Sequence, residues 1–347
     1  MQEEDFPAAD RIISLIEAVF KRDLELREFD IIISHIDDNT CPVVHVRSEH
    51  CFGIKSWCVK PLYKFVYQEL LKIRENKTHK RQALFPEERQ RCENLLNTAL
   101  LLHPEVATFW NTRRELATRG HLDPYTELKF CSLVSSFKPK TADVFVYRRW
   151  ILSSLLKDLS EADRTRILTS ELEAVYRAAT KYPNNYNAWN HAHWCLELAT
   201  PDLKLQLLYL SDSWMSSHVS DHSVMQFRQQ LLQNVPELDW CQGSLCEVCP
   251  AWYKEYRTSH HVENKHTNHF IHELASNSQL IASYPGHEAL WYHRRFLVHE
   301  LGVRCDPNLV PCLREQERQA GVSPDDADYK LKHLRWMDKF LLPREGK

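Results

Sequence analysis

Four groups of residues in this chain have types and spacings that could do chemistry. Cys246 and Cys249, followed by His261 and His266, come close to the Cys2His2 spacing of a small zinc site. Tyr253 stands where a zinc finger wants an aromatic residue, yet no Leu precedes His261 at the usual interval and one spacer is off by one residue. Little basic charge is at hand for DNA, so the stretch reads as a flexible loop in which His260, His261, His266 and His269 could take metal opportunistically. Asp221, His222 and Ser223 spell a hydrolase triad, but a triad is assembled from residues distant in sequence. That segment reads instead as the turn of a helical hairpin. His191 and His193 are two positions apart on a helical stretch and face different ways, which argues against a shared ligand role. No glycine-rich phosphate loop occurs. The fourth group is a phrase of proline, tryptophan and arginine.

The phrase returns five times. Pro104 leads to Trp110, Arg113 and Arg114; Pro139 to Phe145, Arg148 and Arg149; Pro183 to Trp189, Ala192 and His193; and Pro285 to Trp291, Arg294 and Arg295. A worn copy has Val219 in the proline place and Met225 in the tryptophan place, followed by Arg228. Self-similarity at a period in this range marks stacked supersecondary units. Arg at three and four positions beyond Trp shares its helical face, so the expected chemistry is structural. The ring wedges between neighbouring hairpins and the guanidinium groups reach carbonyls of the adjacent turn.

These residues need helices to hold them. Apolar groups spaced by three and four precede each phrase: Leu95, Leu96, Ala99, Leu100 and Leu102 before Pro104, and Leu172, Val175, Tyr176 and Ala179 before Pro183. The proline then stops the first helix, and a second begins near the tryptophan. Five such repeats are expected over residues 91–300, broken by an irregular insertion at about 234–268. Residues 1–90 form an N-terminal segment packed on the solenoid, with a helix at Ile12–Phe20, a short strand at Cys41–Val46 and a helical period from Trp57 to Leu71. Residues 301–347 are expected to hold a polar stretch to about Asp328 and a last helix from Tyr329 to Leu342.

Composition narrows the function classes. Only 7 of 347 residues are Gly, which suits a helical chain better than a hairpin-rich β fold. The formal charge is −3, with 44 basic against 47 acidic residues, so no electrostatic footprint for nucleic acid is present. No stretch approaches the ~18 apolar residues of a spanning helix, so stable membrane insertion is not expected. Eleven Cys without a secretory signal read as reduced thiols of a cytoplasmic protein.

The third copy, Tyr182-Pro-Asn-Asn-Tyr186-Asn-Ala-Trp189-Asn-His191, resembles the α-subunit repeat of the protein prenyltransferases. Gly53-Ile-Lys-Ser-Trp57-Cys-Val-Lys60 and Met215-Ser-Ser-His218 extend the resemblance beyond repeat wording. It implies an all-α fold, a right-handed α-α superhelix (solenoid) of helical hairpins. It also implies that this chain is the α-type subunit of a heterodimeric protein geranylgeranyltransferase, inactive without a catalytic β subunit. A Rab-type β subunit is the expected partner, and it would hold the zinc; no metal or cofactor is expected in this chain. Geranylgeranyl diphosphate is the implied co-substrate. A protein with C-terminal cysteines is the other, such as an already farnesylated SNARE or an F-box adaptor.

Within that resemblance, a Lys directly after a repeat proline contacts the departing diphosphate, and here the position is Lys140. Tyr186 matches a pocket-facing Tyr, and Asn187 replaces a His that often follows it; both are expected to bind substrate. Trp110, Arg113, Arg148, Trp189, Arg228, Trp291 and Arg294 are the structural repeat motif. Ala142 and Asp143 depart from the Tyr and Gln often found there, and Asp would repel a substrate carboxylate. The competing reading is a non-catalytic helical-repeat scaffold.

Overall fold

The computed structural model describes residues 6–35, 41–80, 85–235, 249–260 and 265–341, leaving aside the side chains of 76–80, 265 and 266. Fifteen helices and three short strands occur among them, an all-α helical-repeat fold with a small sheet. The chain divides into two compact units, Met1–His191 and Ala192–Lys347. None of the described helices is long and apolar enough to cross a membrane.

The first unit opens with α1 (Ala9–Arg22), β1 (Glu28–Ile32), β2 (Val43–Val46), β3 (Cys51–Lys55) and α2 (Ser56–Lys80). Three hairpins follow: α3 (Pro86–Leu102) with α4 (Ala107–Thr118), α5 (Pro124–Phe137) with α6 (Ala142–Leu155), and α7 (Glu161–Lys181) with the start of α8 (Tyr186–Leu198). The expected strand is β2; β1 and β3 were not foreseen. β3 lies in the middle, parallel to β1 and antiparallel to β2. Phe29 of β1 packs 5.1 Å from Phe52 of β3 and 5.4 Å from Phe137 of α5, which fastens the sheet to the repeats. Gly53 is required where β1 passes β3, because a Cβ there would stand 2.7 Å from the Ile32 side chain.

The second unit contains the end of α8, then α9 (Pro201–Ser217) with α10 (His222–Asn234), α11 (Ala251–His260), α12 (Lys265–Ser283) with α13 (Glu288–His299), and α14 (Val310–Gln319) with α15 (Ala327–Phe340). The polar stretch expected at 301–328 is thus partly helical. Its α14 buries Val310, Leu313 and Glu317, a stripe too narrow to show as a period in the sequence. The insertion also holds more order than a loop. Tyr253 and Tyr256 of α11 are buried, and their hydroxyls donate to Asn268 and Asp306, both at 2.8 Å. Cys246 and His261 of the zinc-like spacing, and the side chain of His266, lie outside the described residues. Among the described residues no group of three or more His, Cys, Asp or Glu is placed to hold a metal ion.

The phrase sets the hairpin register. In all five copies the first helix ends two residues before the proline place and the second starts three residues after it. Short-range chemistry supports these ends. Asp123, Ser160, Thr200 and Asp221 accept from backbone N–H groups in the first turns of α5, α7, α9 and α10. Asp221 of the triad-like letters is therefore a helix cap.

The arginines do more than reach carbonyls. Each sits on a second helix and joins it to two first helices. Arg113 donates through two nitrogens to Glu127 of the next hairpin, at 2.5 and 2.7 Å, and to Asn97 of its own at 2.6 Å. Arg148 grips Glu171 at 2.7 Å twice, with Ser132 at 3.0 Å and the Leu128 carbonyl at 2.9 Å. Arg228 grips Glu273 at 2.9 and 2.6 Å, pairs with Asp212 at 2.8 Å, and donates to the Leu208 carbonyl. Arg294 grips Glu317 at 2.8 and 2.7 Å and donates to Ser278 at 2.9 Å. Asn97, Ser132, Asp212 and Ser278 each stand sixteen residues before their Arg.

Three of the four clamp carboxylates also take a third donor from the second helix of their own hairpin. Glu127 accepts from the Tyr147 hydroxyl at 2.6 Å; His191 Nε2 lies 2.9 Å from Glu171 and His293 Nε2 3.1 Å from Glu273. These three donors follow their Glu by twenty residues. His333 stands 3.4 Å from Glu317. Buried ion pairs survive only when every charge and lone pair is answered, and this one answers them from three helices. Burial pushes the Glu171 carboxyl up, but Arg148 and His191 outweigh it and hold it down to about 2. Arg294 and His333 do the same for Glu317, also to about 2.

The tryptophans fill the joints. Trp110 and Trp291 are buried, and each indole N–H is satisfied: Trp110 donates to the Pro104 carbonyl at 2.8 Å and Trp291 to Asp326 at 2.7 Å. Trp189 is equally buried.

Candidate functional site

The residues with most chemical freedom lie on hairpin turns of the first unit. α5 ends at Phe137, and α6 begins at Ala142. The intervening turn closes through the Thr141 N–H on the Lys138 carbonyl at 3.3 Å, which leaves Lys140 exposed at its tip. The next turn, between α7 and α8, holds the first one in place. Asn185 donates its side-chain amide to the Pro139 carbonyl at 2.7 Å, and Asn187 donates to the Lys140 carbonyl at 2.8 Å. Asn185 also accepts from the Ala188 N–H at 3.2 Å, so one side chain caps α8 and anchors the neighbouring turn. Asn184 adopts φ +56°, the left-handed conformation that Asn tolerates better than most residues, and this turns the chain sharply enough to aim both amides.

The Lys140 ammonium is placed by Tyr182, the residue that caps the end of α7. Nζ donates to the phenolic oxygen at 3.3 Å and lies 5.0 Å from the ring centroid. No ion pair forms at Lys140 among the described residues. Tyr186 opens α8 with 72% of its surface exposed. Ala142 and Asp143 are the first two residues of α6. The structure thus gathers Lys140, Asn187 and Tyr182, with Tyr186 on the same turn as Asn187. The Asn187 amide is occupied with the Lys140 carbonyl, so here it positions the lysine. Tyr182 was not singled out from the sequence. Its signal was available, an aromatic residue directly before Pro183 in the best-formed copy.

The remaining expected residues are structural in their surroundings. Arg113, Arg148, Arg228 and Arg294 are spent on clamps, and Trp110, Trp189 and Trp291 are buried between helices. His191 and His193 have different partners, Glu171 and Gln230. Burial lowers the His191 pKa, and a neutral ring fits its contacts: Nε2 on Glu171, and Nδ1 taking an N–H from Arg149 at 3.4 Å. The Cys131 thiol is pushed up to about 12 by burial, which leaves it inert.

Two open cavities lie elsewhere in this unit. Two lobes of about 520 and 530 Å³ share Arg27, Ser132 and Arg177. Their four open cations, Arg27, Lys129, Arg177 and Lys181, are matched by Glu25, Glu28, Glu49 and Glu173, so the groove favours neither sign of ligand.

The repeat and its register match known proteins. The family profile of the protein prenyltransferase alpha subunit repeat fits residues 168–199 and 270–301, the α7–α8 and α12–α13 hairpins. Protein prenyltransferase alpha subunit repeat-containing protein 1 of Danio rerio is 34% identical over 331 residues, 86% of this chain and 74% of the relative. The Homo sapiens protein of that name is 33% identical over 324 residues, covering 84% of this chain and 78% of its own length. A Xenopus laevis form, 1-B, is 30% identical over 93% of this chain and 79% of the relative. With its clamps, its hairpin register and these relatives along most of its length, the chain belongs to the protein prenyltransferase alpha subunit repeat family.

Proposed function

We propose that this chain is the α-type subunit of a heterodimeric protein geranylgeranyltransferase. The observation that carries the reading is the likeness to relatives named for the α-subunit repeat along 86% of the chain. The expected β partner is of the Rab type; it would hold the zinc, which would keep the protein substrate's cysteine as a thiolate for transfer of the geranylgeranyl group. This chain's own part is positive charge for the departing diphosphate, and the exposed Lys140 ammonium is the group to supply it. Ala142 and Asp143 offer a free C-terminal carboxylate no donor, which suits a substrate positioned otherwise, such as an already farnesylated SNARE or an F-box adaptor held by its folded part. Val146 and Trp150 of α6, 52% and 36% exposed, are apolar surface of the sort an obligate partner covers. Such contacts commonly bury more than about 2,000 Å². The expected location is the cytoplasm.

Co-expression with the Rab-type β subunit, size exclusion and mass spectrometry of the peak test the assembly. A stable one-to-one complex is expected. Lys140→Ala should leave that complex intact while slowing geranylgeranyl transfer at least about tenfold. A chain that elutes alone, while a known α subunit binds the same β chain in parallel, overturns the proposal. One observation favours a second reading, a non-catalytic scaffold: the substrate-anchoring places hold Ala142 and Asp143. An unchanged transfer rate in Lys140→Ala, with the complex intact, would select it.

A further inference from the structure

We infer that Tyr182 and Lys140 together form a two-donor receptor for a phosphate-class oxyanion, with the Tyr182 hydroxyl as a direct ligand contact. The inference rests on the proposed role of Lys140 and adds a residue to it. Three observations carry it. The ammonium has no acidic partner among the described residues, and its one hydrogen bond there is to a neutral phenol. The hydrogen bond between the two runs from Nζ to the phenolic oxygen at 3.3 Å, which occupies a lone pair of that oxygen and leaves its own O–H to donate outward. Both side chains are exposed, Tyr182 to 41%, so an anion can reach both donors at once.

The surroundings fix the spacing of the two donors. Asn185 and Asn187 hold the carbonyls of Pro139 and Lys140, so the lysine backbone cannot drift from the turn that carries Tyr182. The ammonium sits beside the phenolic hydroxyl, with Nζ 5.0 Å from the ring centroid, and this contact limits the rotamers of an otherwise exposed side chain. Two donors 3.3 Å apart can address two oxygens of one phosphoryl group, which a lone ammonium does as a point charge. Tyr182 therefore supplies a hydroxyl donor where Ala142 has none and where one Asn187 N–H is spent on the Lys140 carbonyl.

The test is titration of the full-length chain with inorganic diphosphate at low salt, by calorimetry, with circular dichroism confirming that each variant is folded. Tyr182→Phe keeps the ring and removes only the hydroxyl; it should weaken binding about three- to tenfold. Lys140→Gln should weaken it about tenfold or more, and binding by the parent should fall steeply with added salt. If Lys140→Gln weakens binding and Tyr182→Phe does not, the hydroxyl is no ligand contact; the inference fails while the role proposed for Lys140 stands. If neither substitution matters, or the parent binds no diphosphate, both fail. Both substitutions weakening binding, each with its fold intact, supports the two-donor receptor.

Discussion

The second helices α6 and α8 occupy the same place in successive hairpins and solve one packing problem in opposite ways. Three positions beyond its tryptophan place, α6 carries Arg148, which meets Glu171 with no water left between them. The same position of α8 is Ala192, fully buried. Counting back twenty residues from Phe227, which stands two beyond the tryptophan place of α10, the carboxylate place of α9 is Leu207, also buried. Where arginine goes, glutamate goes, and a leucine takes the place instead. The comparison teaches that the clamp is a matched pair. Arginine and glutamate occur together in the clamps, and Ala192 and Leu207 are both apolar, since one charge without its partner cannot be paid for by packing. The boundary between the two compact units falls between His191 and Ala192, at the one phrase without an arginine in that place.

The largest effect should come from breaking a pair. Glu171→Ala leaves Arg148 buried without its carboxylate and should cost about 3–5 kcal/mol in denaturant unfolding. The double variant Arg148→Met, Glu171→Leu imitates the apolar joint and should recover most of that loss, to within about 2 kcal/mol of the parent. A double variant as unstable as the single one would show that the two solutions are not interchangeable.

The apolar joint can be broken the opposite way. Leu207→Glu buries an unpaired carboxylate and should cost about 3 kcal/mol. Adding Ala192→Arg should return at least about 1 kcal/mol relative to the sum of the two single changes. Strict additivity would deny that these two positions correspond to the clamp.

The smallest expected effect is on acid stability. The folded Glu171 pKa is about 2, below the ordinary 4.5, so its contribution is full above the ordinary value and is lost as pH falls toward 2. By pH 4 the parent should already have lost about 1 kcal/mol through this group, because the unfolded chain takes up the proton first. His191, buried and lowered, acts in the same direction from the ordinary histidine range downward. The Arg148→Met, Glu171→Leu chain should show a flatter profile of unfolding free energy against pH. Equal slopes in parent and variant would mean that the clamp carboxylate is not the titrating group.

Hairpins were legible in the sequence because their marks are local. A proline ends one helix, three residues later the next begins, and the buried stripe repeats at three and four residues. The sequence determined by itself that this chain is a helical repeat, where five of its turns fall, and that Lys140 sits in one of them. Tertiary structure decided the rest, since it depends on residues that no period connects. Arg228 and Glu273 are 45 residues apart with α11 between them, and Glu317 sits in a polar stretch where no phrase announces a hairpin. β1 and β3 are recognisable only once Phe29, Phe52 and Phe137 have met. The hold of Tyr182 on the Lys140 ammonium is of the same kind. Local propensity depends on neighbours in the chain, whereas a buried charge or an aimed ammonium depends on neighbours in space, and folding supplies those.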